Sequence, residues 1–189
     1  MEKRIVYFEK PGRDNTQACL DVVKRAVKED GYRHLVLAST VDDTGLLFSE
    51  ALKGQGLNIV VVTHAAGFKE PNASEMSPET RAAITQNGAT VYTGSMLTHS
   101  LETAIAAKFS GSYPTLIIAN TLRRFGEGAK VGCEIMMMAV DAGLIPEGEE
   151  VLAVAGTAWG ADSVLVVKSA ASKRFLDLKV LEILAKPRT

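Results

Sequence analysis

The sequence predicts an α/β fold, with a three-layer, doubly wound sheet that is mostly parallel and has an antiparallel C-terminal edge. Apolar, β-rich runs alternate with helical periods as far as residue 155. Several of these runs are continuous in Val, Ile, Leu and Ala, which is typical of strands covered on both faces. Only residues 156–162 separate the next two runs, too few for a crossover helix, which predicts an antiparallel hairpin.

The predicted strands follow from these runs in chain order. They are residues 5–8, 35–39, 58–63, 90–93, 115–120, 151–155, 163–167 and 179–184. The last strand is predicted to join the hairpin at the edge of the sheet.

Capping residues and apolar periodicity predict helices between the strands. Their limits are, in order, Asn15 to Gly31, Asp43 or Thr44 to Gly54, Ser77 to Gly88, residues 101–109 and residues 130–142. The clearest start is Ser77, because Pro78 follows at the first helical position and Glu79 lies in the first turn.

Bulk composition narrows the class of protein. The chain has 189 residues without a break in composition, so residues 1–189 are predicted to form one domain. A net charge of −1 argues against a nucleic-acid or anionic-membrane partner, which would need a basic excess. With no signal-peptide core and no apolar run of about 18 residues, a soluble, cytoplasmic protein is expected. Cys19 and Cys133 are predicted to be buried, reduced thiols.

The loop at residues 39–45 is the first candidate ligand site. Ligands of open parallel sheets bind at the carboxyl ends of strands, where loops lead into helix N-termini. Hydroxyls, a glycine and backbone N–H groups suit an anion there, although a simple capping loop would have the same composition. The candidate residues are Ser39, Thr40, Asp43, Thr44 and Gly45, and Asp42 and Asp43 oppose a dianion unless they face away.

Three further loops carry candidate ligand-binding residues. Residues 63–68 leave room for a flat ligand, residues 123–132 place basic groups beside flexible backbone, and residues 156–162 hold two glycines and Trp159. The alternatives are a mobile loop with an exposed histidine for the first and a packing tryptophan for the last. The glycine spacing in 123–132 fits neither a dinucleotide fingerprint nor a P-loop. The candidates are Thr63, His64, Gly67 and Phe68; Arg123 and Lys130; and Gly156, Thr157 and Gly160.

The segment from residue 134 to residue 167 resembles the end of pyruvate kinase. An apolar helix leads to Asp141-Ala142-Gly143-Leu144-Ile145-Pro146-Glu147-Gly148, and a strand is followed by the turn Gly156-Thr157-Ala158-Trp159-Gly160. The whole chain resembles the stand-alone proteins called pyruvate kinase alpha/beta domain-like. This resemblance implies the C-terminal domain fold of that enzyme, a flavin mononucleotide (FMN) or similar phosphate ligand, and no assigned reaction. Kinase activity is not implied, because it belongs to a barrel domain that this sequence lacks.

Two classes of function remain open. The first is a protein that binds a phosphate-bearing small molecule, FMN being the expected ligand. The second is an enzyme, either a flavin-dependent oxidoreductase or a phosphotransferase. No metal-binding motif is visible; His34 is predicted to be structural, and His99, next to Ser100, to open a helix. A homo-oligomer is also expected, because the helix at residues 131–142 is apolar on more sides than a surface helix needs.

Overall fold

A computed structural model describes residues 2–41 and 43–188. Within these residues the chain forms one sheet of seven strands in the order β1-β7-β6-β5-β2-β3-β4. The strands are β1 (Val6–Phe8), β2 (His34–Ala38), β3 (Asn58–Thr63), β4 (Thr90–Thr93), β5 (Glu150–Ala155), β6 (Ser163–Lys168) and β7 (Lys179–Pro187). The helices are α1 (Thr16–Asp30), α2 (Thr44–Ala51), α3 (Pro78–Gln86), α4 (Leu101–Phe109), α5 (Pro114–Leu122) and α6 (Glu127–Asp141).

The pairing of the strands confirms the predicted fold class. Strands β5, β2, β3 and β4 are parallel neighbours, whereas β6 runs antiparallel to both β5 and β7. The prediction that the last strand forms the edge is wrong, because β1 lies beyond β7 and pairs with it in parallel. The sequence of a short N-terminal strand does not indicate which strand it pairs with. The outer edge of β7 has unpaired backbone N–H and C=O groups, and β1 pairs with them.

The prediction of a strand at residues 115–120 is also wrong, because this segment lies within helix α5. Pro114 occupies the first helical position after an extended Tyr113, which is the favoured place for proline in a helix. A short apolar run has no readable period, so its composition alone does not distinguish a strand from a helix. Helix α6 begins at Glu127, slightly before the predicted residue 130. Gly126, just before it, has φ of 118°, which lies outside the helical region and sets the start of the helix.

The sheet is covered on both faces, and alternate residues of each strand serve the two cores. In β2, Leu35 and Leu37 pack with helices α1, α2 and α3, whereas Val36 packs with α6 on the opposite face. Helix α6 is buried along nearly its whole length, from Gly128 to Val140. Its apolar circumference is therefore explained by packing within the chain, and it no longer argues for an interface between subunits.

The predicted helix caps can be compared with the side-chain hydrogen bonds at the helix starts. The side chain of Ser77 accepts a hydrogen bond from the N–H of Thr80 at 3.1 Å, which confirms the predicted cap of α3. Asn15 precedes α1, but its side chain makes no cap hydrogen bond with that helix.

Cys19 and Cys133 are free and buried, and burial raises the pKa of Cys133 to about 11. In the described part of the chain, no helix has the length and apolarity needed to cross a membrane.

Candidate functional site

A cleft of about 350 Å³ lies at the carboxyl ends of β5, β2 and β3. This volume falls at the lower end of the range typical of small-molecule sites. Strands β5, β2 and β3 are adjacent, so the loops that follow them meet at one edge of the sheet. The predicted site residues that line the cleft are Ser39, Thr40, Thr63, His64, Phe68, Lys130, Gly156 and Gly160.

The remaining predicted site residues do not line the cleft. Thr157 instead directs its N–H to the carboxylate of Asp162, at 3.0 Å. Arg123 pairs with Glu127 at 2.6 Å, and Gly67 borders a separate shallow pocket beside α4. The residues outside the cleft are Asp43, Thr44, Gly45, Gly67, Arg123 and Thr157. Asp42, which was expected to oppose a dianion, lies outside the described residues.

The loop after β2 uses part of its hydrogen-bonding capacity internally. The hydroxyl oxygen of Ser39 accepts the N–H of Gly45 at 3.0 Å, and that of Thr40 accepts the N–H of His64 at 3.0 Å. A Cβ atom on Gly45 would lie 3.0 Å from Val61 Cγ1 and 3.1 Å from Ile84 Cδ1. A side chain at position 45 would therefore crowd the core, and a bulky one would disturb the fold whether or not an anion binds.

A buried ion pair forms one wall of the cleft. Lys130 Nζ lies 2.6 Å from Glu134 Oε2, and the two side chains are only 2% and 4% exposed. The other carboxylate oxygen of Glu134 accepts the N–H of Thr98 at 2.7 Å and its hydroxyl at 2.8 Å. Burial raises the pKa of Glu134, but Lys130 and these hydrogen bonds outweigh it, so the pKa is lowered and the carboxylate stays ionised.

A second cluster of ionisable groups lies in the loop between β3 and α3. His64 Nδ1 is 2.8 Å from Glu75 Oε1, and Lys69 Nζ is 2.6 Å from Glu75 Oε2. Glu75 is 10% exposed, whereas His64 is 38% exposed and borders the cleft. Sequence reasoning singled out His64 but missed Glu75 and Lys69, because nothing in the sequence pairs residues on an irregular loop.

Aromatic side chains surround the mouth of the cleft. The rings of His64 and Phe68 lie 4.5 Å apart between centroids, and Phe68 meets His99 edge-on at 6.2 Å. Trp159 is 49% exposed, and the ammonium of Lys69 lies 5.4 Å from its ring centroid. This contact links the loop after β3 to the loop after β5. Burial, and then the charge of Lys130, lower the pKa of His99, so its ring is neutral near pH 7.

The hairpin loop after β5 is held by a buried carboxylate. Asp162 Oδ2 accepts the N–H groups of Gly12 at 2.9 Å and Thr157 at 3.0 Å, and its Oδ1 accepts the Ser163 hydroxyl at 2.8 Å. Gly160 has φ of 72° and packs against Arg13 and Thr16, so a side chain there would be strained and crowded. These contacts fix the shape of the loop and leave Trp159 at the surface.

Metal ions in proteins are held by groups of His, Cys, Asp or Glu side chains. Across residues 2–41 and 43–188, no group of three or more His, Cys, Asp or Glu side chains is placed to hold one. The lining of the cleft combines buried donors, ion pairs and exposed aromatic rings.

No protein-family model matches the chain. A pyruvate kinase from Cryptosporidium parvum is similar to it in structure, with 14% identity, a TM-score of 0.40, and 83% of this chain and 23% of that chain covered. An O-ureido-L-serine synthase has 17% identity and a TM-score of 0.32 over 60% of this chain and 30% of its own. A pyridoxal 5'-phosphate-dependent aspartate racemase has 18% identity and a TM-score of 0.34, covering 76% and 47%. The chain spans less than half the length of each of these proteins.

Proposed function

We propose that this protein binds a small molecule that joins a phosphate group to a flat ring system, FMN being the ligand to test. The observation that carries the proposal is one cleft at the carboxyl ends of three parallel strands, with buried Lys130 in its wall and exposed Trp159 at its mouth. The proposal also places the protein among the pyruvate kinase alpha/beta domain-like proteins, on the sequence resemblance alone.

The phosphate end of the ligand is assigned to the side of the cleft formed by the β2 loop and the start of α6. Lys130 has three N–H donors, and Glu134 accepts a hydrogen bond from its ammonium. The Thr40 hydroxyl already accepts the N–H of His64 and still has its own hydrogen to donate. Helix α6 runs for 15 residues from Glu127, and its positive dipole end favours an anion at this edge.

The carboxylates that line the same cleft do not oppose this assignment. Each carboxylate is paired with a nearby cation, so its charge is largely neutralised before an anion approaches. The pairs are Glu75 with Lys69, Glu127 with Arg123, and Glu134 with Lys130. The same pairing neutralises the cations, so the lining is close to neutral overall, and the donor hydrogens not used in the pairs, together with the dipole at the start of α6, favour an anion.

The ring end of the ligand is assigned to the mouth of the cleft. Phe68 and Trp159 are 40% and 49% exposed, which is more than packing in the core would leave. Exposed aromatic faces stack on flat heterocycles, and each such contact contributes about 1 kcal/mol. Both rings belong to loops that the sequence predicts as candidate ligand loops, at residues 63–68 and 156–162.

Titration with FMN and with riboflavin tests the proposal. Charge-assisted hydrogen bonds contribute about 1.5–3 kcal/mol each, so FMN is expected to bind at least about tenfold more tightly than riboflavin. The quenching of flavin fluorescence measures both affinities. Equal affinities, or no binding of FMN at all, would contradict the proposed ligand class.

A matched pair of lysine variants locates the site. Lys69 and Lys108 each lie over an aromatic ring, at 5.4 Å from Trp159 and 5.6 Å from Phe109, but only Lys69 borders the cleft. Lys69→Met is expected to weaken FMN binding several-fold and Lys108→Met to leave it unchanged. An equal effect of the two variants would place the ligand elsewhere.

The enzymatic alternatives from the sequence can be tested on the same complex. A flavin-dependent oxidoreductase requires that NAD(P)H bleach the visible band of the bound flavin, and a phosphotransferase requires transfer of a phosphoryl group to an acceptor. Binding without either reaction supports the first class, a protein that binds the ligand without transforming it.

A further inference from the structure

His64 and Glu75 have the geometry of a histidine held by a carboxylate. The distance from His64 Nδ1 to Glu75 Oε1 is 2.8 Å, and His64 borders the cleft. An ionised carboxylate only accepts hydrogen bonds, so Nδ1 must carry the hydrogen that joins the two side chains. In the neutral imidazole the other nitrogen, Nε2, then has a lone pair and can accept a proton.

The carboxylate that holds His64 is itself kept ionised. Burial raises the pKa of Glu75, but hydrogen bonds from Lys69 and His64 outweigh it, and the pKa is lowered. Lys69 Nζ lies 2.6 Å from Glu75 Oε2, so each carboxylate oxygen has a cationic or N–H neighbour. Glu75 therefore remains an acceptor for His64 Nδ1–H near neutral pH.

Further contacts fix the position of the imidazole. The backbone N–H of His64 donates to the Thr40 hydroxyl at 3.0 Å, and its carbonyl accepts the Thr63 hydroxyl at 2.8 Å. The ring of Phe68 packs against the imidazole with centroids 4.5 Å apart. At 38% exposure, the side chain is held in place but remains accessible to a molecule in the cleft.

We propose that His64 is a general base of this cleft and that Glu75 is its positioning residue, so that the protein activates water against an ester bound there. The inference rests on the proposal that the cleft is the ligand site. In the step, the water oxygen forms a bond to the electrophilic atom of the ester while the water proton passes to His64 Nε2. The bond from that atom to the leaving oxygen breaks, and the imidazolium gives its proton to that oxygen, so that the products are an acid and an alcohol.

Several ionisable groups besides His64 face the same cleft and will shape the pH dependence of such a step. They come from the β3–α3 loop, from the loop after β4 and from α6. These groups are Lys69, Glu75, His99, Glu127, Lys130 and Glu134.

Nitrogen NMR of labelled protein tests the arrangement of the dyad directly. The sequence contains three histidines, so their ring signals can be assigned with single substitutions. His64 is expected in the Nδ1–H form at neutral pH. In Glu75→Gln the amide can donate to Nδ1 and shift the hydrogen to Nε2, whereas Glu75→Asp should retain the original form. An Nε2–H form in the unmodified protein would overturn the proposal.

Hydrolysis of p-nitrophenyl acetate tests the activity with a simple ester. General bases accelerate such steps by about 10²–10⁴, so His64→Gln is expected to slow hydrolysis at least tenfold. Glu75→Gln should slow it as well, and Glu75→Asp should restore part of the rate. The control is His34→Gln, because His34 lies at the start of β2 beside Asn58 and does not border the cleft. An unmodified protein that hydrolyses the ester no faster than His64→Gln would overturn the proposal.

FMN added to the same assay separates this inference from the proposed ligand. If hydrolysis depends on His64 but FMN neither binds nor inhibits, the dyad is supported and the proposed ligand is wrong. If FMN binds and hydrolysis does not depend on His64, the ligand is supported and the dyad is wrong.

Discussion

At the scale of single residues, the buried pair of Lys130 and Glu134 has the largest predicted effect on stability. Removing one partner of a buried ion pair leaves an uncompensated charge and costs about 3–5 kcal/mol. Lys130→Met should therefore lower the free energy of unfolding by about this amount, because Glu134 is 4% exposed. Urea unfolding measures the change. Lys3→Met removes two partly exposed ion pairs, with Asp30 and with Glu182, and should cost clearly less; a similar loss in both variants would contradict this account.

The same pair predicts how stability depends on pH. The pKa of Glu134 is lower in the folded chain than in the unfolded chain, so the unfolded state takes up its proton first as the pH falls. The stabilisation is complete above the pKa of glutamate in the unfolded chain, about 4.3. It is lost as the pH falls through the lower pKa that Glu134 has in the folded chain. The stability difference between the unmodified protein and Glu134→Gln should therefore shrink between pH 6 and pH 3. A constant difference over that range would refute the assignment.

At the scale of secondary-structure elements, two serine caps give a direct comparison. Ser77 accepts the N–H of Thr80 at the start of α3, whereas Ser100 precedes α4 without a side-chain cap hydrogen bond. Replacing a serine that caps a helix costs about 1 kcal/mol. Ser77→Ala should destabilise the chain by about this amount, and Ser100→Ala should change it far less. Thermal unfolding of both variants measures the effect, and equal shifts would contradict it.

Elements with two independent sequence signals were predicted well. Helix α3 has a capping serine and a proline at its first position, and the β5–β6 hairpin follows from the short gap between two apolar runs. The strand prediction for residues 115–120 rested on composition alone, and this segment forms a helix. Strand β1 was predicted as a strand, but its place beside β7 depends on an open sheet edge that only the assembled fold provides.

The candidate site was predicted in part, for a related physical reason. The rule that ligands bind where parallel strands end located the loops of Thr40, His64 and Gly156 correctly at one cleft. It did not identify Glu75 or Glu134, whose roles arise from partners that the fold brings close to them. Gly45 was predicted to be an anion-binding glycine, and the fold adds a second reason for it, because a side chain there would crowd Val61 and Ile84.

At the scale of the whole molecule, the prediction of a homo-oligomer remains open to test. Its first argument, the apolar circumference of α6, is explained by burial within the chain. Large apolar side chains are instead exposed on α4 and α5, where Leu101, Phe109 and Ile117 are 77%, 69% and 55% exposed. We expect light scattering at micromolar concentration to give more than the monomer mass of 20.2 kDa. A monomer mass would contradict the expectation.

Binding of a flat, phosphate-bearing molecule is proposed for the cleft at the carboxyl ends of β5, β2 and β3. Its most direct test is the dissociation constant for FMN, measured by calorimetry for the unmodified protein, Trp159→Ala and Phe109→Ala. Both side chains are exposed aromatics, but only Trp159 borders the cleft. Because loss of aromatic stacking costs about 1–1.5 kcal/mol, Trp159→Ala should bind FMN roughly tenfold more weakly and Phe109→Ala should bind it as the unmodified protein does. Unchanged affinity in Trp159→Ala, or no FMN binding by the unmodified protein, would contradict the claim.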